Sequence, residues 1–201
     1  MPNKYNIKIK KSEVMYSGFN KITKYFFEFS SFDKKTNLNV EKEIFERKDA
    51  VAVLLYDPKL DSVVIIEQFR PGCFVAENIA FPLEIPAGLI DESDANFEEV
   101  AKQEALEEAN CDIQKIMKIG YFFPEISFSS RRIYLFCGKV DASNLHPRGG
   151  VKSENEDTKI SIIHVNELKK MMEDGAFINS HTIVAVQWFF LNLEKVQEEF
   201  S

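Results

Sequence analysis

A chain of 201 residues with 45% apolar and 28% charged positions has the length of one domain, or of one domain with an appendage, and enough apolar content for a core. Its formal charge of −7 excludes a protein that grips nucleic acid through the phosphates, because that needs a basic surface. So acidic a chain, if it handles a phosphorylated small molecule, usually needs metal cations to bridge the two negative partners.

The first 47 residues read as a sheet of their own. Strands are expected at 5–16 and 21–32, the second rich in aromatic and β-branched residues (Lys21-Ile22-Thr23-Lys24-Tyr25-Phe26-Phe27-Glu28-Phe29). A third is expected near 38–47, after the turn-like Asp33-Lys34-Lys35-Thr36-Asn37. Such a short antiparallel sheet is marginal alone and must pack on something. From Ala50 the pattern changes. Ala50 to Tyr56 and Ser62 to Phe69 are apolar runs around the turn Asp57-Pro58-Lys59-Leu60-Asp61, and a short strand spans Phe81 to Ile85. Residues 96–109 have helical composition, with Asn96 as N-cap and Glu99 three residues on, as in a capping box. Strands follow at 113–123, 131–140 and 158–165, then helices at 166–174 and 180–199 separated by Gly175. The order predicts an α+β fold: an α/β/α sandwich on a mixed sheet in residues 48–201, preceded by an N-terminal antiparallel β-sheet in residues 1–47.

Cys73, Cys111 and Cys137 lack any paired spacing, so neither a disulfide framework nor a zinc site is expected. Met1-Pro2-Asn3-Lys4-Tyr5 opens no apolar signal segment, and the stretch from Ile183 to Leu193, interrupted by Gln187 and Asn192, is too short to span a bilayer. A soluble, cytoplasmic protein without membrane or nucleic-acid partners is the expectation.

Glu104, Glu107 and Glu108 stand at i, i+3 and i+4, so on a helix Glu104 and Glu108 lie within ~40° of each other. By themselves, three such glutamates fit a solvated acidic face. They also fit a site for hard divalent cations, which take carboxylate oxygens and keep several waters. Context favours the second reading. Gly88-Leu89-Ile90-Asp91-Glu92-Ser93-Asp94, then the helix, then Gln103-Glu104-Ala105-Leu106-Glu107-Glu108-Ala109-Asn110-Cys111 resembles the Nudix signature, G-x5-E-x7-R-E-U-x-E-E-x-G-U, where U is apolar. Four departures stand out. The loop after Gly88 is one residue longer, Asp94 occupies the place of the first Glu, Gln103 that of the Arg, and Asn110 that of the last Gly. Asn tolerates the left-handed backbone a helix end needs. Gln103 removes a positive charge, which predicts weaker orientation of Glu104 and Glu107 with metal binding retained.

The resemblance extends over roughly residues 18–192 to the ADP-ribose pyrophosphatase branch of that family. It is carried by Glu43-Ile44-Phe45-Glu46-Arg47, Ile66-Glu67-Gln68-Phe69-Arg70, Leu83-Glu84-Ile85-Pro86-Ala87-Gly88, Ser153-Glu154-Asn155-Glu156-Asp157 and Ala185-Val186-Gln187-Trp188. It implies that the Ala87 carbonyl with Glu104, Glu108 and Glu156 holds magnesium, or manganese in its place. It implies Glu154 as general base, in a loop that by composition alone is an acidic surface segment, with Glu107 orienting or assisting. Arg47 and Arg70 would contact phosphates or adenine; residue type alone leaves surface charge or structural ion pairing equally open. Phe19 would stack on the base, or pack in a core. A homodimer that exchanges its N-terminal sheet is implied too. One segment departs from the branch: Pro124-Glu125-Ile126-Ser127-Phe128-Ser129-Ser130-Arg131-Arg132 lacks the usual Pro-Gly turn and carries Arg131 where a Glu is usual. The expected reaction is metal-dependent cleavage of ADP-ribose or a related nucleoside diphosphate sugar. The alternatives are a GDP-mannose or UDP-sugar pyrophosphatase and a Nudix-like sensor that binds a nucleotide without cleaving it.

Overall fold

A computed structural model describes residues 5–91 and 96–201, which fall into two compact units. The first contains the N-terminal residues through Lys48 together with Phe123–Arg132, a segment the sequence reading placed with the second. Its strands β1 (Lys8–Ser17), β2 (Lys21–Ser30) and β3 (Asn37–Glu46) form an antiparallel sheet in that order. Ser17 pairs with Lys21 across a tight connection, and Asp33 caps the second turn by accepting from the Lys35 amide. Aromatic side chains lie along β2: Tyr25 stacks on Phe27, and the Lys11 and Lys24 ammonium groups sit over Phe26 at 5.4 and 5.2 Å. The 123–132 segment joins through the Phe45 amide, which donates to the Phe128 carbonyl at 2.6 Å.

The second unit, Asp49–Phe122 with Ile133–Ser201, is the sandwich. Strands β4 (Ala50–Asp57), β5 (Ser62–Glu67), β8 (Lys115–Phe122), β9 (Ile133–Lys139), β10 (Arg148–Gly149) and β11 (Thr158–His164) run in the order β10-β11-β5-β4-β9-β8. Two short strands join them, β6 (Leu83–Glu84) on β5 and β7 (Ala87–Leu89) on β4. The β4–β9 pairing is parallel and the rest antiparallel, so the sheet is mixed. All eight residues of β4 are buried, as a strand covered on both faces must be. Ala50, Ala52, Leu54 and Tyr56 join one core with α3 (Val165–Glu173), α4 (Ser180–Leu191) and α5 (Leu193–Phe200). Val51, Val53 and Leu55 join the other with α2 (Phe97–Ala109). No helix of the described residues is long and apolar enough to cross a membrane.

Four local expectations change. Helix α1 (Pro71–Glu77) was not foreseen; Pro71 starts it, its preset φ and missing N–H suiting a first turn. The 81–85 strand shrinks to Leu83–Glu84, because Pro82 and Pro86 cannot donate to a ladder. The last helix breaks at Asn192, whose side chain donates to the Trp188 carbonyl at 2.8 Å and whose φ of −126° leaves the helical region. Asn96 does cap α2, accepting from the Glu98 amide at 3.0 Å, but Glu99 pairs with Lys102 instead of completing a capping box.

Candidate active site

Helix α2 buries Ala101, Ala105, Glu108 and Ala109. The alanines let the helix axis approach β4 and β5 closely, and that approach drags a carboxylate into the interior. Glu108 is only 2% exposed and its Oε2 accepts the Ala87 amide at 2.8 Å. One turn earlier, the Glu104 carboxylate lies against Gly88, where an added Cβ would stand 1.7 Å from Oε1. The missing Cβ at Gly88 is what leaves room for the Glu104 carboxylate in this position.

These two carboxylates are out of their ordinary range. Burial, then the charges of Glu107, Glu156 and Glu154, push Glu104 up to about 7. Burial pushes Glu108 up to about 8, against the Ala87 hydrogen bond that favours its anion. Arg70, whose charge reaches Glu108, is committed to Glu84: its Nε and Nη2 stand 2.8 and 2.7 Å from the same Oε2. Glu84 is 3% exposed while Arg70 is half-buried, so the pair joins a buried carboxylate to a guanidinium that reaches solvent. Desolvated like charges without an ionic partner are the environment a divalent cation relieves. Among the described residues no three acidic, histidine or cysteine side chains form a ready cation cage. Two helix carboxylates beside Ala87 therefore fit a cation that draws its remaining oxygen ligand from elsewhere.

The 150–157 loop brings the other two acids close. Glu154 ends a single 3₁₀ turn (Lys152–Glu154) and is exposed; Glu156 is half-buried. Gly150, with φ of +96°, is packed so that a Cβ would meet the Glu156 carbonyl carbon and oxygen. Glu107 is half-buried and its Oε1 accepts from Gln103 Nε2 at 2.9 Å. Gln103 thus supplies a neutral donor where the signature has a guanidinium.

Ala87, Glu104, Glu107, Glu108, Glu154 and Glu156 all lie in the sandwich unit, as does Arg70. Arg47 and Phe19 belong to the N-terminal unit. The Arg47 guanidinium sits 5.8 Å over the Phe45 ring, and Phe19, 86% exposed, is not a core residue. Asp94 lies outside the described residues. Two polar residues were not singled out from the sequence: Glu84, the buried partner of Arg70, and Gln68, 5% exposed, whose Oε1 has no hydrogen-bond partner among the described residues. A lone carboxylate in the apolar run Leu83-Glu84-Ile85 was the available signal for the first.

The NUDIX domain family model matches residues 46–191. The chain is 30% identical over 198 residues to the ADP-ribose pyrophosphatase of Escherichia coli strain K12, covering 98% of this chain and 94% of that one. It is 29% identical to the ADP-ribose pyrophosphatase of Haemophilus influenzae (98% and 91% covered) and 27% identical to the GDP-mannose pyrophosphatase of Yersinia pestis (88% and 87%). A crystal structure of an ADP compounds hydrolase superposes with a TM-score of 0.71 at 17% identity, covering 96% and 95% of the two chains, which shows a shared fold. With the glutamate helix seated on Ala87–Gly88 and a family match across most of its length, the chain belongs to the Nudix family, in the branch that includes these pyrophosphatases.

Proposed function

We propose that this protein hydrolyses the pyrophosphate bond of ADP-ribose or a related nucleoside diphosphate sugar, releasing a nucleoside monophosphate and a sugar phosphate. The observation that carries the reading is the pair Glu104 and Glu108, half-buried and buried on one helix face against Ala87–Gly88, with no ion pair of their own among the described residues. The substrate class follows the printed names of the relatives, two ADP-ribose pyrophosphatases and a GDP-mannose pyrophosphatase.

The Ala87 carbonyl, Glu104, Glu108 and Glu156 would hold magnesium, with manganese as a substitute. A divalent ion there supplies charge neutralisation of the diphosphate and a lowered pKa for a water. Glu154, exposed on its loop, accepts the proton of the attacking water. Glu107, steadied by Gln103, orients that water. Arg70 presents the free edge of its guanidinium to a phosphate while Glu84 fixes its plane. Arg47 and Phe19 contact the nucleotide. No nucleophilic Ser or Cys is needed, since positioning and charge neutralisation dominate phosphoryl chemistry. The enzyme is read as cytoplasmic and as a homodimer, in which a second copy covers the exposed Ile9, Val14, Met15 and Tyr16. Residues 1–47 are read as the dimerisation subdomain and 48–201 as the catalytic domain.

A panel of ADP-ribose, GDP-mannose, UDP-glucose and diadenosine compounds, with and without magnesium, tests the reading. Magnesium-dependent release of AMP from ADP-ribose supports it. Preference for GDP-mannose or UDP-glucose selects the alternative, for which Arg131 is the argument: it puts positive charge in a segment where the branch carries a Glu. Tight calorimetric binding with no turnover would make the chain a sensor.

A further inference from the structure

We propose that Asn110 is a positioning residue: its side-chain amide fastens the base of the acidic 150–157 loop to the carbonyl end of α2, setting where Glu154 and Glu156 stand relative to Glu104 and Glu108. This rests on the catalytic reading above and goes beyond it, because the signature has a glycine here and assigns the position no side chain.

A helix leaves its last carbonyls unpaired, and something must satisfy them. Asn110 sits just past the last turn with φ of +52°, its own amide bonded to the Leu106 carbonyl and the next amide, that of Cys111, to the Ala105 carbonyl. The bond to Leu106 is that of the αL cap, in which one left-handed residue ends the helix. Asn110 Nδ2 donates to the Arg148 carbonyl at 2.7 Å. Arg148 opens β10, and two residues on the loop begins. Two more carbonyls at the helix end are taken by the loop and the strand after it: the Gly150 amide donates to Glu107 O at 2.7 Å, and Thr158 Oγ1, at the start of β11, donates to Glu108 O at 2.6 Å. Gly149 is pressed so close that a Cβ would lie 2.4 Å from Glu108 O. Across the mouth of the loop, Arg148 Nη1 pairs with both oxygens of Asp157 at 3.0 and 2.8 Å.

Both stems of the loop are therefore anchored on the helix that carries Glu104, Glu107 and Glu108. Of these ties, only that of Asn110 requires the residue that departs from the signature. Glycine would adopt the same backbone but could not hold Arg148. The tie fixes acid-to-acid geometry, on which catalysis is steeply dependent.

The test is Asn110→Gly, with Asn110→Asp beside it. Glycine keeps the left-handed backbone, so the fold should stay intact and the melting temperature should fall by no more than about 5 °C. Asp keeps shape and backbone but cannot donate to a carbonyl. In both variants kcat for ADP-ribose in magnesium should fall about tenfold, the worth of one hydrogen bond near 1.4 kcal/mol, with KM unchanged. Amide exchange at 149–151, measured in the folded protein, should accelerate in both, and that readout does not depend on turnover. Wild-type kcat with wild-type exchange in Asn110→Gly overturns the proposal. Accelerated exchange with wild-type kcat also overturns it, since the tie would then be purely structural. If the wild-type protein cleaves no nucleoside diphosphate sugar, the catalytic reading fails separately, and exchange alone decides whether the tie exists.

Discussion

The Ala87 amide donates to Glu108 Oε2 at 2.8 Å, so the segment before the acidic helix and the last glutamate of that helix hold each other in place. The bond orients one carboxylate oxygen, and the other takes no hydrogen bond among the described residues. Glu108→Gln keeps an acceptor for Ala87 and removes the charge. It should lower kcat by about a thousandfold or more, ~4 kcal/mol of barrier, with an unchanged circular dichroism spectrum. Wild-type turnover in this variant would sink the assignment of Glu108 to the metal.

Glu154 lies on the exposed part of its loop, and its charge still reaches Glu104. Glu154→Gln should depress kcat by about a hundredfold, the usual worth of a general base, while the magnesium concentration for half-maximal rate stays put. A parallel rise in that concentration would make Glu154 a ligand instead.

Gly88→Ala places a methyl group on the Glu104 carboxylate. The far end of a flexible side chain yields easily, so unfolding free energy should change by less than about 1 kcal/mol. The displaced carboxylate should cost about tenfold in kcat/KM. A variant with full activity would mean that Glu104 has no fixed working position.

Arg70→Ala leaves Glu84 as an unpaired buried carboxylate and should destabilise the fold by about 1–3 kcal/mol. Adding Glu84→Gln should restore most of that stability. Turnover should stay low in the double variant, because the guanidinium that meets the phosphate is still missing. Recovery of both together would reduce Arg70 to a structural ion pair.

Glu104 and Glu108 titrate at about 7 and about 8 in the folded protein, against 4.5 for an unperturbed carboxyl. Between roughly 4.5 and 8 the folded state then holds more protons than the unfolded one, so stability falls as pH rises through that window. In EDTA the melting temperature should decline from pH 5.5 to pH 8.5, by an amount corresponding to roughly a few kcal/mol. Magnesium binds the ionised carboxylates and should raise the melting temperature most at the alkaline end. A flat profile in EDTA would show that the two acids are not desolvated together.

Much of this was legible in the sequence, and the residues show why. The acidic helix announces itself through Asn96, its alanine face and the i, i+3, i+4 glutamates, all local signals. The sandwich follows from apolar runs long enough to be strands covered on both faces. What stayed hidden depends on pairing across the fold. Helix α1 has no buried residue and so no apolar period to read. Arg70 and Glu84 meet only because β6 adds to β5, and Asn110 finds Arg148 across 38 positions of chain. Glu99 could have completed a capping box, but Lys102 offered a competing charge one turn on.

Strand β4 puts Ala52, Leu54 and Tyr56 in one core and Val51, Val53 and Leu55 in the other. A partition a single backbone thick thus divides the core that seats α2 from the core that seats α3, α4 and α5. Interiors packed at crystal density pass strain onward instead of absorbing it. Enlarging Leu54, which shares its core with Phe189, would bow that partition toward the alanines of α2 and shift the reach of Glu104, although nothing at the acids themselves had been altered.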